Sequence, residues 1–419
     1  MQQMEVDGLT PFEELYLKAV DAFLNGKGER DLAQEAAAQP HELACLLHPE
    51  KHAVICRLSD CLCGGEDCEK SCLFNAIKRD GGGNVVVSEK DCTGCGACIE
   101  VCKQNNLSGC RDILPVLEQL HTVKEPVYAM IAPAFTSQFG GEVGPGRLRT
   151  AFKKLGFTGM IEVALFADIL TLKEALEFDR LVQTEQDFLL TSCCCPIWIS
   201  MIKKVYGQLA PHIPPSVSPM VACGRSIKKL YPKAKTVFIG PCLAKKAEAR
   251  EADIADAVDY VLTFKEIADV FKLANIKPAE CEEDMRDHSS TAGRIYARSG
   301  GVSSAVQSTL ERLVPGRGIP LKAMQADGVP ACKALLKDVQ EGIVSANFIE
   351  GMGCAGGCVG GPRVLIPREE GAAYVDGYGE AAAYKTPVDN PYVIELLARL
   401  GFESLPALLK VENMFTRKF

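Results

Sequence analysis

Several features are missing from this chain. Basic excess is one: 46 Lys and Arg face 54 Asp and Glu, for a formal net charge of −8. That balance argues against general nucleic-acid binding, which rests on neutralising phosphates. No apolar run approaches the ~18 residues a spanning helix needs, so no membrane association is expected. The N-terminus carries Glu5 and Asp7 and lacks the basic-then-apolar pattern of an export signal, so a cytoplasmic location is expected. Repeats and low-complexity tracts are also lacking. Cysteine is abundant, with 20 among 419 residues, and apolar residues make up 47%. At roughly 150 residues per domain the length allows two or three domains. Without an export signal, so many closely spaced thiols favour a reducing compartment and metal binding over disulfides.

Four segments follow from the texture of the sequence. Residues 1–50 read as a helical appendage, with apolar residues at helical spacing from Leu9 to Leu24 and helix formers from Asp31 to Ala38. Residues 51–112 carry dense cysteines and little apolar periodicity, as in a small domain built around metal. Residues 113–365 alternate strands with helices. The strands are Val127–Ala132, Met160–Leu165, Phe188–Leu190, Thr236–Ile239 and Tyr260–Thr263. The helices are Leu148–Leu155, Leu170–Leu181, Ile197–Tyr206, Ala244–Ala252 and Lys265–Leu273. This pattern predicts an α/β domain with mainly parallel sheets, whose ligands bind beyond the strands' carboxyl ends. In the 366–419 extension, Gly371, Gly377 and Gly379 mark loops and Asn390–Leu400 reads as a helix. Gly140–Gly146 lacks a following Gly-Lys-Ser/Thr and reads as a plain loop.

Cys92, Cys95, Cys98 and Cys102 follow the C-x2-C-x2-C-x3-C spacing of bacterial ferredoxins, which suits 4Fe–4S ligation better than a four-cysteine zinc site. A less regular run lies upstream: Cys61, Cys63, Cys68 and Cys72. Cys56 could replace Cys61 or Cys63, while Cys45 and Cys110 fit no run and are expected to be structural. The ferredoxin-like arrangement implies two 4Fe–4S clusters, one on Cys61, Cys63, Cys68 and Cys102, the other on Cys92, Cys95, Cys98 and Cys72.

Three further clusters end apolar strands: Thr191-Ser-Cys-Cys-Cys-Pro-Ile-Trp198, Gly240-Pro-Cys-Leu-Ala-Lys-Lys246 and Glu350-Gly-Met-Gly-Cys-Ala-Gly-Gly-Cys-Val-Gly-Gly-Pro362. In this order they resemble the three signature motifs of iron-only (FeFe) hydrogenases: TSCCPxW, PCxxKxxE and ExMxCxxGCxxGG. The third is one residue shorter after Cys358, and the triple cysteine resembles a less-studied subclass. The resemblance implies that Cys195, Cys242, Cys354 and Cys358 hold a 4Fe–4S cluster, with Cys358 bridging to a two-iron subsite bearing CO, cyanide and a dithiolate amine. Lys245 would pair with a cyanide, Met352 would cap the subsite, Pro133 and Ala134 would contact it, and Tyr296 would shield it.

Aligned on Pro196, the motif makes Cys195 the ligand and Cys194 the thiol that passes protons. Aligned on Thr191, those roles fall on Cys194 and Cys193. Glu174 and Glu177, at i and i+3, match two carboxylates of the family's proton path, and Glu248 matches another. The path's serine is replaced by Pro214, with Ser216 nearby, and Met220 stands where a glutamine is usual. The implied activity is reversible reduction of protons to H2, an oxidoreductase role in hydrogen metabolism. Electrons would come from a ferredoxin or similar carrier, and maturation proteins would insert the two-iron subsite. The alternatives are an iron–sulfur scaffold of hydrogenase fold and an H2 sensor.

Overall fold

In a computed structural model, residues 9–419 are described except 30, 33–39, 62, 65, 192 and 193. Most of the Asp31–Ala38 stretch and Cys193 therefore lie outside the described residues. A helix spans Pro11–Leu24, started by Pro11 and by the Thr10 hydroxyl, which accepts from Glu13 N at 3.2 Å. It packs on the helix Ile113–Thr122. Arg111 fastens the two, stacked 3.8 Å from the Tyr16 ring centroid and ion-paired with Glu13.

The cysteine-dense region is built from three-residue strands. β1 (Ile55–Arg57) pairs antiparallel with β4 (Leu107–Gly109), and β2 (Ile77–Arg79) pairs antiparallel with β3 (Val85–Val87). Short helices Asp67–Ser71 and Ala97–Glu100 lie between them. Its interior holds Ile55, Ile77, Val85 and Leu107 among its cysteines, and Leu243 from the α/β part closes it. So little apolar surface cannot offset the entropy of ordering, which is why such a unit needs metal.

The remainder is α/β. Strands β5 (Val127–Ile131), β6 (Gly159–Glu162), β8 (Lys235–Gly240) and β9 (Tyr260–Thr263) form a parallel sheet in the order β6-β5-β8-β9. β7 (Leu189–Leu190), β10 (Ala323–Asp327) and β11 (Phe348–Met352) form a second parallel sheet, β10-β11-β7. The helix Ala164–Leu181 is buried nearly all round and packs on the helices Gly301–Leu313 and Thr291–Arg294.

Two expectations are corrected. The segment holding Gly371, Gly377 and Gly379 is a helix, Arg368–Glu380, rather than loops. One of its glycines serves close packing: a Cβ at Gly379 would stand 2.8 Å from Ile295. The strand expected over Met160–Leu165 stops at Glu162, because Ala164 already begins the helix. β10 escaped the sequence reading; its partly exposed Met-Gln-Ala-Asp end carries no apolar signal.

Candidate metal centre

The carboxyl ends of both sheets open on one apolar cavity. Ala132, Pro133 and Ala134 follow β5, Val163 follows β6, and Pro241 and Cys242 follow β8. Cys194 and Cys195 come after β7, and Gly353 and Cys354 follow β11. Lys245, Tyr296, Met352, Cys358 and Met220 also line it. Four of these thiols, Cys195, Cys242, Cys354 and Cys358, thus share one cavity although 163 positions separate the first from the last (358 − 195).

Glycines set the approach. A Cβ at Gly351 on β11 would fall 2.0 Å from the Trp198 indole, and one at Gly353, just past the strand, 2.6 Å from Ile197. Only glycine lets the helix Pro196–Val205, which Cys195 precedes, seat against this strand. Gly353 N then donates to Cys195 Sγ at 3.3 Å. Gly357, at φ +88°, lies against the backbone of Arg298 and Ser299. Glu350 anchors the strand from beneath, accepting from Gly300 N at 2.9 Å, Ser303 N at 2.7 Å and Ser303 Oγ at 2.6 Å.

Burial, and next the charge of neighbouring thiols, pushes Cys242 up to about 11 and Cys358 up to about 12; Cys354 is raised well above the ordinary thiol value by the same causes. The Lys245 charge and the Lys245 and Ala244 N–H groups oppose this at Cys242. Gathering buried thiols that are costly to ionise together is what a polynuclear iron site requires, because the metal's charge makes the thiolates stable. The donor set is soft and sulfur-only, with N–H groups aimed at sulfur, and it fits a 4Fe–4S cluster. Lys245 also forms a 2.6 Å ion pair with Glu248. Tyr296 meets the Thr171 hydroxyl at 2.8 Å.

Cys194 lines the same cavity, and burial, followed by the charges of Cys195, Glu350 and Glu174, raises its thiol well above the ordinary value. Glu174 acts on both Cys194 and Tyr296. One turn along, Glu177 is bonded to Lys173 and reaches Ser216 Oγ at 3.4 Å. Ser216, rather than Pro214, therefore supplies the hydroxyl beside this carboxylate. Glu248 stands apart with Lys245 and lines an outer cleft shared with Cys92, Lys203 and Arg250. The structure thus groups Cys194 with Glu174, and Glu177 with Ser216, while Glu248 sits on the Lys245 side.

In the small region, the charge of Cys72 acts on Cys92, Cys95 and Cys98. Asn106 bridges the other group, donating from its backbone N to Cys102 Sγ at 3.3 Å and lying 3.6 Å from Cys61 Sγ. Arg79 feels both Cys63 and Cys68. Cys95 in turn acts on Cys354, so the Cys92 group adjoins the large cavity. Cys56 turns the other way, into a buried cluster with Cys45, Val54 and Cys110. Sequence reasoning missed Asn106, Glu350 as an anchor, and Lys173. Of these, only Lys173 left a signal: a lysine four residues before a glutamate in an otherwise apolar helix.

Comparison with known proteins agrees with this geometry. Residues 125–362, more than half of the chain, match the model for the iron-only hydrogenase large subunit, C-terminal domain, and residues 85–108 match a 4Fe-4S binding domain. The chain belongs to the iron-only hydrogenase family. It is 27% identical over 365 residues to the NADP-reducing hydrogenase subunit HndD of Solidesulfovibrio fructosivorans, covering 73% of this chain and 62% of that one. The chain therefore spans about three-fifths of that relative's length. It is also 32% identical over 105 residues to the cytosolic Fe-S cluster assembly factor NAR1 homolog of Schizosaccharomyces japonicus, covering 22% of this chain and 20% of that one. The fold matches the FeFe-hydrogenase HydA1 from Chlamydomonas reinhardtii, with TM-score 0.61 at 19% identity, covering 74% of this chain and 98% of that one. Among the described residues no helix is long and apolar enough to cross a membrane.

Proposed function

We infer that this chain is an FeFe hydrogenase, interconverting two protons and two electrons with H2. The observation that carries the reading is the shared cavity: Cys194, Lys245 and Met352 line it together with Cys195, Cys242, Cys354 and Cys358. A plain 4Fe–4S pocket needs the four thiols; a buried lysine, a methionine cap and a fifth thiol suit a larger cofactor carrying anionic ligands. The four thiols would hold a 4Fe–4S cluster and Cys358 would bridge to the two-iron subsite. When bound, that subsite supplies the chemistry that makes and breaks the H–H bond.

The chain's own residues do the rest. Pro133, Ala134, Tyr296 and Met352 keep water from the cavity. Lys245, held charged by Glu248, offers a compact cation to an anionic ligand. Cys194 hands protons between cavity and Glu174, and Glu177 with Ser216 continues the path toward Arg180 at the surface. Cys61, Cys63, Cys68 and Cys102 would hold the outer 4Fe–4S cluster. Cys92, Cys95, Cys98 and Cys72 would hold the inner one, so that electrons from a ferredoxin-like carrier run outer to inner to cavity. With Cys195 as ligand and Cys194 as proton carrier, the triple-cysteine motif reads from Pro196; Cys193 lies outside the described residues.

A second reading, an iron–sulfur assembly factor, is favoured by the NAR1-homolog kinship. Lys245, Met352 and the fifth thiol of Cys194 in one cavity weigh against it, since a scaffold that holds only the 4Fe–4S cluster has no use for them. The test is to supply the two-iron subsite by maturation and assay H2 evolution from a reduced viologen and H2 uptake. Turnover in both directions is expected; protein that carries its clusters yet accepts no subsite and turns over no H2 overturns the reading.

A further inference from the structure

Lys173 plays no part in the mechanism above, yet it is 1% exposed. Its Nζ lies 2.5 Å from Glu177 Oε1, 2.6 Å from Ser216 Oγ and 3.3 Å from the Pro215 carbonyl. Ser216 Oγ is in turn 3.4 Å from Glu177 Oε2. An ammonium has three N–H donors and no acceptor, and here a carboxylate, a hydroxyl and a carbonyl take all three. Burying a charge costs several kcal/mol unless it is paired and fully hydrogen-bonded, so an ordinary helix-surface lysine would not be found here. The bonding also has a direction. Ser216 Oγ accepts from Lys173 and donates toward Glu177 Oε2.

We propose that Lys173 is a positioning residue of the proton path, joining Ser216 and Glu177 into one hydrogen-bonded unit in which Glu177 is held as the carboxylate that receives the incoming proton. The proposal rests on the hydrogenase reading for its purpose, though not for its geometry. The bond that forms and breaks is the O–H of the Glu177 carboxyl, and no electrons are exchanged. The groups acting on Glu177 are burial, which pushes its carboxyl up, opposed by Lys173 and Arg180 on its own helix and by the Ser216 hydroxyl from the loop ahead of the helix Pro219–Leu230. Removing the Lys173 charge leaves burial less opposed, so protonation of Glu177 moves to higher pH.

The test uses the full chain with its iron–sulfur clusters and without the two-iron subsite. The carbonyl stretch of a protonated carboxyl is followed by infrared pH titration and assigned to Glu177 by its loss in Glu177→Gln. In Lys173→Met the band is expected to persist upward by about one pH unit or more, the displacement a nearby opposite charge commonly accounts for. Lys173→Gln, which keeps donors without the charge, is expected to shift the same way and serves if the methionine variant melts early. An unshifted band in a folded variant overturns the proposal. In loaded protein, Lys173→Met should lower kcat for H2 evolution about tenfold or more, with KM for the electron donor unchanged. Lys173→Met combined with Glu177→Gln should be no slower than Glu177→Gln alone; additive losses would overturn the single-unit assignment. A shifted band beside a loaded but inert wild type would sink the hydrogenase reading and leave the Lys173–Glu177 coupling standing. Turnover without a band shift would sink the coupling alone.

Discussion

Gly351→Ala puts the proposed geometry of the large site under the sharpest strain. The added Cβ would lie 2.0, 2.3 and 2.3 Å from three atoms of the Trp198 indole. Ordinary carbon contacts are about 3.5–4.0 Å, so the overlap exceeds about 1 Å. Trp198 is fully buried and has nowhere to swing. Relief must come from moving the helix Pro196–Val205 off β11, which carries Cys195 with it and breaks the Gly353 N–H contact to its sulfur. Overpacking of this kind costs about 1–3 kcal/mol and more where the neighbour is rigid. The assay is iron and sulfide content after anaerobic reconstitution, beside a melting curve. The variant should lose about four irons, one 4Fe–4S cluster's worth, and keep those of the ferredoxin-like region. Gly377→Ala is the control: its Cβ meets nothing within 4 Å, and in a helix alanine is favoured over glycine by about 1 kcal/mol. Wild-type iron content and melting in Gly351→Ala would refute the reasoning that this strand–helix contact sets the position of Cys195.

Three further outcomes are expected. Cys194→Ala should keep the infrared spectrum of the loaded cofactor and lose nearly all H2 turnover; normal turnover would remove Cys194 from the proton path. Glu350→Ala would strand the Gly300 and Ser303 N–H groups and the Ser303 hydroxyl, each costing about 1–3 kcal/mol when buried unsatisfied, so its denaturant midpoint should fall well below that of Glu350→Gln, which keeps one acceptor. Asn106→Leu removes the side-chain donor to the Cys61 sulfur and keeps the backbone donor to Cys102, so the potential of the outer cluster should fall while that of the inner cluster holds; protein-film voltammetry would resolve the two.

Much of the fold could be read from period and punctuation. β9 was expected over the residues it occupies, and the alternation of apolar runs with helical stretches foretold parallel sheets with cysteines at their carboxyl ends. The Arg368–Glu380 helix was hidden because glycine's weak helix preference is a local property, whereas Gly379 is there to let Ile295 approach. β10 was hidden because it is an edge strand whose partner, β11, carries the apolar signal. At the site, the motifs named the cavity-lining thiols and, beside them, Lys245, Met352, Pro133, Ala134 and Tyr296, but not the groups behind them such as the Glu350 anchor and Lys173. Motif matching placed Glu248 with Glu174 and Glu177, yet position in a motif says nothing of direction, and its side chain turns to Lys245. Lys173 and Ser216 are 43 residues apart in sequence. Only the packing of the loop before Pro219 on the long helix reveals them as partners.

The central claim is that the cavity holds a two-iron subsite with CO and cyanide ligands, with Lys245 paired to a cyanide. Its most direct test is the infrared spectrum of protein matured with the subsite, recorded for wild type and Lys245→Met. The claim expects CO and cyanide stretching bands in the wild type and a displaced cyanide band, or loss of the subsite, in the variant. Wild-type protein that holds its 4Fe–4S clusters but shows no CO or cyanide bands after maturation would contradict it.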